Sequence, residues 1–116
     1  MRIILIILSI LCSTTSVFAK TQRIPQFDNE QVNVWETVVH PGADEKLPLH
    51  RHEYNRILIP LDDGTLKVTN NRNETHLLEL SKNKAIFLSK DSPNEQHTDI
   101  NTSDHPIRLI VIELKN

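Results

Sequence analysis

Glycine, aromatic residues and cysteine are all scarce in this chain of 116 residues, which has two glycines, one tryptophan, one tyrosine, three phenylalanines and a single cysteine. Two isolated glycines cannot build a glycine-rich loop around a phosphate, so the nucleotide-binding loop classes are excluded. In a chain of strands the turns then fall to Asn, Asp and Pro. The lone Cys12 excludes a disulfide within one chain, so stability rests on an apolar core. There is no excess of one charge: 13 basic and 15 acidic residues are interspersed, with a net charge of −2. That leaves no electrostatic footprint for nucleic acid or an anionic membrane surface. Internal repeats, low-complexity tracts and helical periodicity are lacking too, and the length suits one domain.

The longest apolar run lies at the N-terminus. Arg2 precedes Ile3 to Cys12, interrupted only by Ser9, and small polar residues follow before Val17-Phe18-Ala19. A charged start, a short apolar centre and small residues at −3 and −1 form the layout of a secretory signal. The run is too short to span a bilayer, which takes about 20 apolar residues. Residues 1–19 are therefore read as a signal peptide cleaved after Ala19, which places the mature chain in the periplasm or outside the cell without a membrane anchor. The mature chain begins at Lys20 and loses Cys12, so it has no cysteine nucleophile.

Residues 20–31 are polar, contain Pro25 and read as a flexible N-terminal arm or a short edge segment. From residue 32 to 116 strand signals recur at roughly ten-residue intervals, the pattern of an all-β sandwich or barrel. Strands are expected at 32–39, 56–61, 64–69, 75–80, 85–88 and 106–114. Asp63-Gly64 reads as a hairpin turn between the second and third of these. Trp35 and Phe87 are expected in the core, and His40, His76 and His105 at the surface. The last strand is apolar on both faces at its centre, which predicts cover on both sides.

The chemistry concentrates in two places. His50-Arg51-His52 holds two imidazoles at i and i+2, which on a strand share one face. Far away, His97, Asp99 and Asn101 share a face in the same manner. Neutral imidazole is the commonest side-chain metal ligand, and one His-x-His pair plus a distant histidine leaves coordination positions open. Tyr54 is a candidate for the pocket mouth. No Ser-His-Asp set is brought together by periodicity.

This arrangement resembles the cupin family. Its first motif, a glycine, His-x-His, a glutamate and a closing glycine, is approximated by Gly42, His50, His52 and Gly64. Its second, a proline, a histidine and an asparagine four residues later, is approximated by Pro93, His97 and Asn101. The stretch from His97 to Lys115 looks especially like the small single-domain cupins of the β-alanine-degradation type. The resemblance covers roughly residues 32–115. It implies a jelly-roll barrel (a double-stranded β-helix), often dimeric, holding iron, manganese, nickel or zinc on His50, His52 and His97, with Asn101 orienting the site.

The departures from the pattern are specific. The family's glutamate falls at Arg56 or Ile57, and Asn94 stands at one of its glycines. If the strand is regular from His50, Arg56 faces the cavity. Either it clamps a substrate carboxylate beside the metal through its planar fork, or the metal is absent and Arg56 binds a small anion with the histidines. Asp99 either pairs with Arg56 or supplies the missing oxygen ligand. The expectations are a secreted cupin binding a divalent metal and a small carboxylate-bearing molecule, with an oxygenase or isomerase as the enzyme classes in view, or else a metal-free anion-binding module. A homodimer is the expected assembly. Asn73-Glu74-Thr75 and Asn101-Thr102-Ser103 match the glycosylation pattern, and a glycan on Asn101 would conflict with an inward role.

Overall fold

A computed structural model describes residues 21–116, so the expected signal peptide lies outside the described residues. Eight strands follow in order: β1 (Gln22–Asp28), β2 (Val32–Val39), β3 (Arg56–Pro60), β4 (Gly64–Asn70), β5 (Thr75–Leu80), β6 (Ile86–Leu88), β7 (His97–Asn101) and β8 (Ile107–Leu114). One 3-10 turn, Ala43–Glu45, is the only helical element among the described residues. A five-stranded sheet in the order β1-β2-β8-β3-β6 faces a three-stranded sheet in the order β5-β4-β7, and every strand pairing is antiparallel. This is a jelly roll whose two sheets are not joined into a closed ladder.

Alternation decides which side chains enter the interior. β8 turns Ile107, Leu109 and Val111 inward, β2 turns Trp35, Thr37 and Val39, and β3 turns Arg56, Leu58 and Pro60. Val39, Leu66, Leu80, Ile107 and Leu109 make one core cluster, and Trp35, Leu58 and Val111 the next. Along three inward rows the chemistry changes from apolar to polar in the same direction. Leu109 and Val111 lead to Glu113, Pro60 and Leu58 to Arg56, and on β4 Leu66 and Val68 to Asn70, while the inward row of β7 is polar throughout. Register places Glu113 opposite Arg56 and Asn70 opposite His97. The packed core thus fills one end of the sandwich, and a cavity of about 730 Å³ opens at the other.

Asparagine carries the turns, as the shortage of glycine requires. Asn73, Asn83 and Asn94 adopt positive φ of 61°, 64° and 65°, a conformation Asn tolerates better than other side chains. Asn94 does so where the family pattern has a glycine.

Residues 22–28, read as an arm or an edge segment, take the second form, the edge strand β1 on β2. Three expectations are revised. Asp63-Gly64 does not close a hairpin, because β3 pairs with β6 and β8 whereas β4 pairs with β5 and β7. The turn instead carries the chain from one sheet to the other, held by Asp62, which accepts from the Arg108 backbone and side chain. Phe87 is not core: it is 59% exposed, because the inward positions of β6 go to Ile86 and Leu88. The outer face of β8 is only half-buried, and no described element covers it. Across that face Phe27, Val34, Ile112, Ile57 and Phe87 form one apolar row.

Candidate metal centre

β7 presents His97, Asp99 and Asn101 inward, because alternate residues of a strand share a face. One edge of β7 pairs with β4. Along the other runs an irregular segment, residues 41–50, attached by main-chain bonds from Gly42 N to Asn101 O (3.2 Å), Leu47 N to Asp99 O (3.0 Å) and His50 N to His97 O (3.0 Å). His97 N returns the last bond to His50 O at 2.8 Å. His50 therefore lies directly across from His97.

His50 and His52 do come together, although not from a regular strand: residues 51–55 lie outside any β element. His52 is held by Asp91, from the stretch between β6 and β7. Its N–H donates to Asp91 Oδ2 at 2.7 Å, and its carbonyl accepts from Asp91 N at 2.9 Å. The same Asp91 oxygen lies 3.4 Å from His97 Nδ1. Nothing in the spacing of a carboxylate six residues before His97 marks it for this role.

The three rings pack against one another, with centroids 4.4 Å apart for His50 and His97, 4.9 Å for His50 and His52, and 5.2 Å for His52 and His97. One nitrogen from each lies within 4.8 Å of the others. His50 Nδ1 donates to Pro48 O at 2.7 Å, which leaves Nε2 with its lone pair, and this atom faces His52 Nε2 at 3.1 Å. Two imidazole nitrogens at that distance need a proton or a cation between them. Burial is the main cause that lowers His52 to about 3, helped by Arg56, the other two histidines and Arg23. Burial also lowers His97, against the pull of Asp99. Neutral imidazoles with converging nitrogens form a donor set that fits a divalent ion.

Asp99 stands at the same point, its Oδ2 3.7 Å from His50 Nε2 and 4.0 Å from His97 Nε2. Burial raises its carboxyl above the usual range, with the neighbouring histidines and Arg56 acting in the opposite sense. Arg56 is buried in the cavity wall as expected, although the regular strand from His50 on which that expectation rested is broken at residues 51–55. Its Nη1 donates weakly to Ser89 O at 3.4 Å, and it forms no ion pair with a carboxylate among the described residues. Burial pushes its guanidinium below the ordinary value, opposed by Asp91, Asp99 and Glu113. The five-donor fork thus faces the cavity with one long bond made.

Two candidates lie elsewhere. Asn101 is 2% exposed, but its amide donates to Val39 O and His105 O, both at 2.8 Å, and its Oδ1 accepts from Ser103 N at 2.8 Å. It ties strands together at the far end of β7 and does not line the cavity. Tyr54 is 39% exposed and is not part of the cavity wall, because the irregular stretch after His52 turns it outward. The sequence reading also missed Arg23. Its Cζ lies 3.5 Å from the centre of the Trp35 ring, at the cavity wall.

No family model matches the chain. It is 32% identical over 98 residues to the β-alanine degradation protein BauB of Pseudomonas aeruginosa, covering 83% of this chain and 97% of that one. A cupin domain from Bordetella pertussis superposes with a TM-score of 0.70 at 26% identity, over 85% of this chain and 99% of its own. An RmlC-like cupin with a double-stranded β-helix fold from Methanocaldococcus jannaschii gives 0.62 at 16% identity, over 85% of this chain and 84% of its own, and speaks for the fold alone. With the jelly roll, the converging histidines and a BauB-like sequence over nearly the whole described chain, the protein belongs to the cupin superfamily.

Proposed function

We propose that this cupin holds a divalent ion on His50, His52 and His97 and seats a small carboxylate-bearing ligand on Arg56, in the periplasm or outside the cell. One observation carries the reading: three imidazole nitrogens converge beside a buried guanidinium that forms no ion pair with a carboxylate among the described residues. A bound iron, manganese, nickel or zinc ion would supply Lewis-acid polarisation or, with iron, oxygen activation. Arg56 orients the ligand by a bidentate bond to its carboxylate. Asp99 offers an oxygen to the ion in place of the family's glutamate. Asp91 holds His52 and His97 in place from behind. Leu58, Leu88 and Val111 line the inner wall and exclude water. The relative's name places it in β-alanine degradation, and β-alanine carries a carboxylate of the kind Arg56 would hold.

Elemental analysis of protein purified without added metal tests the reading. Near-stoichiometric metal, lost in His50→Ala and His97→Ala and weakened in Asp99→Asn, supports it. A chain that takes up no metal yet binds short carboxylic acids would be the alternative, an anion-binding module. That alternative is favoured by the positive charge standing where the family has an acid. N-terminal sequencing of the exported protein, expected to begin at Lys20, tests the location.

A further inference from the structure

The cavity has a second cation that the three-histidine and Arg56 reading does not use. Arg23 sits on β1 opposite Thr37, one inward position from Trp35 in the adjacent strand. Its guanidinium lies 3.5 Å over the Trp35 ring. The ring itself is fixed: Trp35 is 5% exposed, and its Nε1 donates to Thr37 Oγ1 at 3.0 Å. A guanidinium stacked on an immobile indole gains cation–π attraction and loses rotamer freedom before any ligand arrives. Arg23 forms no ion pair among the described residues. Its charge also acts on His52, as does that of Arg56.

Register gives the spacing of the two arginines. Trp35, Val111 and Leu58 form one row across β2, β8 and β3, and Arg56 lies one inward position beyond Leu58. The Trp35 platform and the Arg56 backbone are thus two strand spacings apart across the sheet and two residues apart along it, about 12 Å. A short aliphatic chain with an anion at each end bridges such a gap. The other wall of the cavity carries Glu74 and Glu95; on the β1–β3 side Glu113 stands opposite Arg56, and the two guanidiniums outnumber it there.

We infer that Arg23, stacked on Trp35, forms a second anion subsite, and that the cavity selects short dicarboxylates, one carboxylate on Arg56 and the other on Arg23. This rests on the reading of Arg56 as a carboxylate seat. Sequence reasoning could not reach Arg23, because its role depends on β1 docking beside Trp35.

Calorimetric titration of the mature protein with glutarate and with pentanoate, which have equal chain length and differ by one carboxylate, tests the subsite. Wild type is expected to bind glutarate at least about tenfold more tightly, the scale of one charge-assisted hydrogen bond. Arg23→Gln should erase that preference, and Arg23→Lys should recover only part of it. Lys67→Gln, which removes an equal charge from an exposed site on β4, should leave the preference as it was. Metal content and circular dichroism of Arg23→Gln, an exposed edge-strand variant, should match wild type. Equal affinity for the two acids in wild type, or a preference that survives Arg23→Gln, overturns the second subsite and spares the first. If neither acid binds, the Arg56 seat fails and both readings fall together.

Discussion

His50 and His97 exchange both of their main-chain hydrogen bonds, at 3.0 and 2.8 Å, across a bridge that belongs to no regular ladder. Residues 47 positions apart in sequence are brought face to face by this one pairing. The ring of each histidine therefore inherits its place from the backbone.

Asp91 should matter to metal binding without contacting the ion. Asp91→Asn keeps an oxygen for the His52 amide but loses the charge facing His97 Nδ1. Zinc affinity, measured by competition with a chromophoric chelator, is expected to fall about tenfold or more, with a much smaller change in the melting temperature of the metal-free protein. Asp91→Ala should lower both. Unchanged affinity in Asp91→Asn would remove the carboxylate from the support of the site.

Asn101 is expected to be a stability residue. Asn101→Ala leaves the buried Val39 carbonyl and its neighbours without their donor, a loss of about 2–4 kcal/mol in urea unfolding. The zinc affinity of the folded fraction should stay within a factor of two or so of wild type. A large loss of affinity at unchanged stability would return Asn101 to the site. Its buried amide also leaves no room for a glycan.

Gly64 is needed for packing. A Cβ there would lie 2.7 Å from Ile107 Cγ1 and nearer still to Cδ1, with Ser103 Oγ at 2.9 Å. Ile107 is fully buried, so Gly64→Ala should cost about 1–3 kcal/mol, the usual cost of overpacking. A pairing with Ile107→Val should recover part of it in a double-mutant cycle.

His105 should titrate above the ordinary 6.5, because Asp104 and then the Asp63 carbonyl accept from its two ring nitrogens, at 2.7 and 2.6 Å. A raised folded value means that the protonated ring stabilises the fold fully below the unfolded value. That contribution is lost as pH rises through the folded value. Histidine ring-proton shifts in NMR would show the high midpoint, and Asp104→Asn should bring it down. A midpoint at or below 6.5 in wild type would contradict the contacts.

Much of this was legible in the chain. Strand boundaries at 32–39 and 75–80 agree with β2 and β5 to the residue, since both are bounded by turn residues and alternate. The inward placing of Asp99 and His97 followed from parity along β7, which survives where a strand is short; Arg56 also faces inward, although the strand assumed from His50 is broken at residues 51–55. Three things were hidden for a common reason: Asp91, Arg23 and the outward turn of Tyr54 all depend on where an irregular or edge segment docks, and local periodicity carries no information about docking. Asp63-Gly64 misled because its local chemistry suits a hairpin, whereas the partners of β3 and β4 are chosen by burial across the whole sandwich.

The segment 41–50 has one further consequence. It satisfies the free edge of β7 with three main-chain donors and no ladder of its own. Whatever loosens it both scatters the histidines and bares a strand edge to other molecules. Self-association on demetallation would thus share an origin with loss of the site, and the ion would guard solubility as well as chemistry.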